Sequence, residues 1–395
     1  MNIQEAAEFF NIENVPEEMA AFPGAEHARK EDLCSLDLII SLQERYDLFG
    51  SYFDLVKEAY LQVEKREPYK IWLDGASSYF ARCGEAEAKK IPIPETDKTP
   101  AGDLLGLLIL LPSVDDTYRI YRDRGFSHEE TLHHLGNYKL NLWVTENFIS
   151  GRPVISDKYY HWLCNYAKAV IFDHRGLNFQ LRNHSASSYY IKNRATGEIL
   201  PLSNKTTMHR DGIPVRSAGF EDETGSFYAT FQENETAYVG YPVRNFRTEN
   251  HAASFSKKDW EIVLAPGDDV LAVHIPRNTD LSPENVLLAY REAREIAARS
   301  YPERHPKAFV CSSWMMDPTL NRLLGGNSKI SLFSAPYVRY PNRNDGKDVF
   351  HYVFPRGSDS IPYRDLPEDT SLQRKLKELY ISGKYIYSYT GVILF

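Results

Sequence analysis

Apolar residues recur at helical spacing through about the first 150 positions. Leu36, Ile39, Ile40 and Leu42 make one apolar face, and Tyr52, Leu55, Val56, Ala59, Tyr60 and Val63 make another. Residues 1–30 read as a short helical entry broken at Pro16 and Pro23. Cys83 to Lys90 continues the helical mode, and the proline-rich run 91–100 is a connection. The leucine-rich run Leu104 to Leu111 predicts a buried helix and is too short to cross a bilayer. Two further helices are expected before Phe148, one opened by Ser127 and Glu130 in a capping box. Residues 156–174 read as another.

Near Arg175 the period drops to two. Short runs separated by turn residues predict strands at 177–181, 187–193, 198–202, 213–219, 226–231, 236–243 and 260–264. Ala195-Thr196-Gly197 has hairpin chemistry. Later strands are expected at 330–333, 337–340, 348–354 and 385–395, with helices at 319–324 and 369–383. The expected fold class is α+β: a helical domain over 1–148, then a mostly β, mixed-sheet domain with a few helices over 149–395.

Inside the second domain one stretch gathers the reactive side chains. Val270 to Ile275 is an apolar run of strand type ending in His274, Ile275 and Pro276. Ser282, Pro283 and Glu284 have the chemistry of a helix start, and Val286, Ala289, Ala293 and Ile296 carry the helix to a stop at Pro302. A second apolar run from Ala308 ends in Cys311, Ser312, Ser313 and Trp314, with Asp317-Pro318 reading as the N-cap and first residue of the next helix. Such a strand–helix–strand unit makes a parallel pair whose carboxyl ends face ligands.

Composition narrows the function classes. Of 395 residues, 43% are hydrophobic and 25% charged, and the net charge is -8. This acidic balance disfavours a nucleic-acid or membrane-surface role, which needs a basic face. The four cysteines lie far apart with no C-x-x-C pair, and no basic segment followed by an apolar run opens the sequence. A reduced, cytoplasmic setting is therefore expected. No H-x-x-x-H or clustered-carboxylate pattern is present, so no metal is expected. Phosphate-loop, dinucleotide and nucleophile-elbow motifs are absent.

The stretches 209–219, 260–276, 308–320 and 366–383 resemble the GNAT-like C-terminal domain of a bacterial family of acyltransferases, and 125–136 resembles the all-helical N-acyltransferase N-terminal domain that precedes it. The resemblance implies that the two strands 270–275 and 308–314 splay apart around the pantetheine arm of acyl-CoA. It implies that the loop after the first strand and the start of helix 283–300 hold the pyrophosphate. Arg277, Asn278, Thr279 and Ser282 would then contact the cofactor, with Ser312 and Trp314 along the arm. One departure is visible. The family pattern Q/R-x-x-G-x-G/A is here Arg277 to Ser282 without a glycine.

Three readings follow. In the first, an acyl-CoA donor passes its acyl group to the amine or hydroxyl of a small-molecule acceptor. His274 acts as base, and Ser313, the serine that shares a strand face with Cys311, holds the carbonyl or acts as acid. In the second, the glycine-free loop marks a non-catalytic ligand-binding or regulatory protein on the same fold. In the third, Cys311 is a nucleophile activated by His274.

Overall fold

A computed structural model of the protein describes residues 1–21 and 33–395. The expected break at Pro23 lies outside them. The chain divides into two compact units, Met1–Phe172 and Asp173–Phe395.

The first unit is helical. The helix Pro100–Leu110 lies at its centre, with every residue from Ala101 to Leu110 buried. A helix apolar on all sides must be surrounded, and Phe53–Glu64 and Glu67–Arg82 pack against it. Thr99 caps its start and Pro100 takes the first helical position. The charged Asp103 is buried on this helix because Arg152 Nε approaches it to 2.7 Å and the Thr96 hydroxyl also donates to it. Gly106 is required by close approach: a Cβ there would lie 2.8 Å from the Ile155 carbonyl. The capping box of Ser127 and Glu130 forms as expected. The expected division at 148/149 falls inside the π-helical turn Thr145–Ser150, ahead of the helix Asp157–Ala167 in the same unit.

The second unit is built on a six-stranded sheet. Its strands are β1 (Ile171–His174), β2 (Leu177–Asn183), β3 (Asp269–His274), β4 (Ala308–Ser313), β5 (Val338–Pro341) and β6 (Tyr389–Leu394). Their spatial order is β1-β2-β3-β4-β6-β5. In the centre β3 and β4 run parallel, joined through the helix Pro283–Ser300, whereas β2–β3, β4–β6 and β5–β6 are antiparallel. A second, antiparallel sheet includes Ser188–Asn193, Ile199–Ser203, Ala237–Arg244, Ala253–Ser256 and Trp260–Leu264. Tyr190 and Leu264 of that sheet meet Val270, Val310 and Val392 of the first in one apolar cluster. The opposite face of the first sheet is covered by the long helix, where the ring of Tyr290 stacks 4.3 Å from Phe309.

Four expectations are corrected. The helix expected over 156–174 stops at Ala167: Ala169 turns left-handed (φ 48°) and Ile171–His174 becomes an edge strand. Residues 213–219 are turns with isolated bridges, because Pro214 lacks an N–H and Arg216 and Gly219 take positive φ. Residues 330–333 are helical, since the Ser328 hydroxyl caps the helix Lys329–Ser334 by accepting from Ser331 N. Residues 348–354 contain the helical turn Phe350–Val353. There Val349, Phe350, Val353 and Phe354 recur at helical spacing and enter one apolar cluster. Short apolar runs leave helix and strand undecided, and the cap or cluster decides.

Candidate active site

The parallel ladder between β3 and β4 is confined to two pairs, Leu271 with Phe309 and Ala272 with Val310. Beyond them β3 stays paired with β2 as far as His274 opposite Asn178. β4 stays paired with β6 as far as Ser313 opposite Tyr389. The two central strands thus part at their carboxyl ends while each keeps its outer neighbour. Backbone N–H and C=O groups on the facing edges are left directed at a gap inside the sheet.

Strand alternation assigns the faces. His274 shares a face with Gln180 of β2 and with Ser312 of β4. Its Nε2 lies 3.1 Å from Gln180 Oε1. Ser312 is exposed, and its hydroxyl bonds Thr390 Oγ1 at 2.7 Å. Cys311 and Ser313 take the other face, toward the long helix. Cys311 is 1% exposed, and burial pushes its thiol up to about 12. His274 and Cys311 therefore stand on opposite faces and are not brought together. The Ser313 hydroxyl accepts from Met315 N at 3.1 Å and caps the turn that follows β4. Trp314 is buried in a cluster with Leu320 and Phe350.

The loop after β3 is held by its own side chains. The Arg277 guanidinium donates to the carbonyls of His351 and Tyr352 and lies 5.4 Å from the Tyr352 ring centroid. Thr279 Oγ1 is 2.8 Å from the carbonyls of both Pro276 and Gly176. Asn278 takes a left-handed φ of 64°. Asparagine is among the non-glycine residues that tolerate this conformation best. Asp280 pairs with Lys329 at 2.8 Å, and this contact, helped by hydrogen bonds from Ser282, holds its carboxyl down at about 2.

Pro283 begins the long helix, as expected, and Ser282 is its N-cap residue by backbone conformation. Its hydroxyl, however, donates to Asp280 Oδ2 at 2.7 Å rather than capping the helix. The first-turn amides are thus free of a side-chain cap, and the positive end of the helix dipole faces the loop. Asp317 does cap the next helix: it accepts from Thr319 N at 2.7 Å and also from Tyr387 N at 2.7 Å.

Two residues of this site escaped the sequence reading. Gln180 sits in the alternating run Leu177-Asn178-Phe179-Gln180-Leu181, and a buried amide amid apolar neighbours is the signal that marks it. Lys329 carries no such signal, because its partner Asp280 lies 49 residues earlier.

No curated protein is similar enough in sequence to match this chain. Among solved structures, an acyltransferase mutant in complex with octanoyl-CoA is 16% identical with a TM-score of 0.65, and the match covers 100% of this chain and 99% of that one. An acyltransferase in complex with decanoyl-CoA and teicoplanin is also 16% identical, with a TM-score of 0.62 and the same coverage. At that identity the likeness is one of fold. The sequence pattern of the GNAT-like C-terminal domain matches residues 171–393, more than half of the 395 positions. It takes in β1 to β6 with the parting of β3 and β4, and the chain belongs to the GNAT-like C-terminal domain family.

Proposed function

We propose that the protein is an acyltransferase that moves an acyl group from acyl-CoA to the amine or hydroxyl of a small-molecule acceptor. The observation that carries this reading is the parting of β3 and β4 beyond Ala272 and Val310. An extended pantetheine arm would lie in the gap it opens, where unpaired strand edges would offer N–H groups to its amides and to the thioester oxygen. The uncapped start of Pro283–Ser300 and its dipole suit a pyrophosphate. The fold is shared with acyltransferases that hold octanoyl-CoA, decanoyl-CoA and teicoplanin.

In this mechanism the acceptor nitrogen attacks the thioester carbonyl. The C–N bond forms, the oxyanion is held by strand-edge N–H groups, and the C–S bond breaks. His274 takes the proton from the attacking nitrogen, and that proton neutralises the departing CoA thiolate. Gln180 Oε1 accepts, so in this contact Nε2 carries the ring proton.

A CoA titration followed by a structure of the complex tests this. Ligand between β3 and β4, with phosphate at the amides of Glu284 and Asn285, supports it. Absence of binding and of transfer from any acyl-CoA to a broad amine panel defeats it. A second reading, ligand binding without chemistry, draws on the loop, where the Arg277, Thr279 and Ser282 side chains already have partners within the chain. CoA binding without turnover would favour it.

A further inference from the structure

The second unit contains a pocket of about 340 Å³ at the carboxyl end of β4. Phe246, Arg247, Asp317, Asn321, Arg322 and Tyr389 are among its walls. Tyr389 stands opposite Ser313 in the β4–β6 ladder, and Asp317 follows the turn that leaves β4. The pocket therefore lies at the same end of the sheet as the parting of β3 and β4, one strand beyond it. We propose that it is the acceptor subsite and that it takes a small amine or alcohol bearing a carboxylate, which Arg247 and Arg322 hold. This rests on the acyl-transfer reading above.

Charge is the first argument. Arg247 donates to the carbonyl of Asp211 at 3.2 Å, and Arg322 to Thr319 Oγ1 at 3.2 Å. Neither forms a salt bridge among the described residues, whereas Arg304 pairs with Asp269 and Arg194 with Glu261. Asp317, the acidic wall residue, is 1% exposed and has both oxygens committed to backbone amides. Two guanidinium groups with spare N–H donors thus share one pocket. Their forked geometry matches a carboxylate.

The other walls specify the rest of the ligand. Asn321 Oδ1 lies in the wall without a hydrogen bond; a slight turn of the amide offers it to an amine or hydroxyl proton. Phe246 and Tyr389 supply apolar surface. A pocket of about 340 Å³ is at the lower end of ligand-site volumes, which fits a molecule of amino-acid size.

The hairpin tip shapes the rim. Asn245 and Phe246 take consecutive left-handed conformations, φ 50° and 64°, at the hairpin tip between Ala237–Arg244 and Arg247–Thr248. A two-residue hairpin loop between Arg244 and Arg247 requires left-handed backbone at both positions. It places the Phe246 ring in the pocket wall, 5.3 Å from the Arg339 guanidinium.

The test compares glycine, L-phenylalanine and para-aminobenzoate with their primary amides. Calorimetric titration without a donor reads the pocket alone; initial rates with octanoyl-CoA give KM for each acceptor. The carboxylates are expected to bind more tightly than the amides. Arg247→Gln and Arg322→Gln should each weaken carboxylate binding about ten- to a hundredfold, the loss expected for hydrogen bonds to a charged group, and leave KM for octanoyl-CoA unchanged. Arg322→Lys should keep part of the preference. Equal binding of carboxylates and amides, no binding of either, or unaltered binding by both glutamine variants overturns the proposal. If the protein binds no acyl-CoA, the acyl-transfer reading falls, while the donor-free titration still decides whether the pocket takes carboxylates.

Discussion

His274 Nε2 lies 3.1 Å from Gln180 Oε1, a contact made between neighbouring antiparallel strands on the face that also carries Ser312. Replacing this neutral acceptor by an anion changes the ring's proton affinity and little else. Gln180→Glu should stabilise the imidazolium and move the acid limb of kcat/KM against pH upward by about one unit. His274→Ala should lower kcat by about a hundredfold or more, the usual contribution of a general base. A pH–rate profile whose acid limb is the same in wild type and Gln180→Glu would remove His274 from the role of base.

The Asp280–Lys329 pair governs the charge beside the expected pyrophosphate site. Lys329 keeps Asp280 ionised down to about pH 2, so the loop carries this negative charge throughout the physiological range. Asp280→Asn should tighten CoA binding about two- to fivefold, and Lys329→Met should weaken it similarly, as for exposed charges. Both effects should shrink at high salt. Titrations at two ionic strengths check this; equal affinities in all three proteins would put the phosphates elsewhere.

Cys311 is expected to be chemically silent. A buried thiol raised to about 12 has almost no thiolate at neutral pH. Iodoacetamide should modify it more slowly than a free model thiol, as read by mass of the intact protein. Cys311→Ala should retain most of kcat, whereas loss of a true nucleophile costs on the order of 10⁴-fold or more. A large loss of kcat in a folded Cys311→Ala protein would revive the thiol reading.

Stability should depend on pH through Asp74 in the helical unit. Its burial, with Glu64 nearby, raises the carboxyl to about 6 despite Lys70 at 3.8 Å. A carboxyl raised by folding binds its proton more tightly in the native state. Its contribution therefore falls as pH rises from the ordinary carboxylate range through about 6, and is constant above that. Asp74→Asn removes this loss. Relative to wild type, the variant should gain stability between pH 4 and pH 7, by at most about 3 kcal/mol, in urea unfolding. A difference that does not vary with pH would show that Asp74 is ionised normally.

The sequence made the central unit legible because its signals are local. The strand-type run to His274, Pro283 at the helix start, and Asp317-Pro318 at the next can each be read from a few neighbours. What lies beside them cannot. Gln180 reaches His274 because β2 pairs with β3 across 94 residues, and β6 pairs with β4 from the far end of the chain. The same distance hides the partners of Arg277, whose guanidinium meets carbonyls 74 and 75 residues later. The glycine-free loop is a local signal of a different kind: its one left-handed residue is Asn278, whereas Asp280 and Ser282, at the glycine positions of the motif, are not left-handed.

The gap between β3 and β4 also bears on how the protein behaves without ligand. A sheet ordinarily has two edges, and proteins guard them because an exposed edge recruits stray strands. By separating its central pair, this sheet acquires two more, set in its middle and flanked by the apolar Val273 and Ile275. A bound pantetheine arm, with its two amides, would serve there as a surrogate strand. Acyl-CoA bound there should raise the melting temperature with the logarithm of its concentration above Kd and slow amide exchange along the two inner edges first.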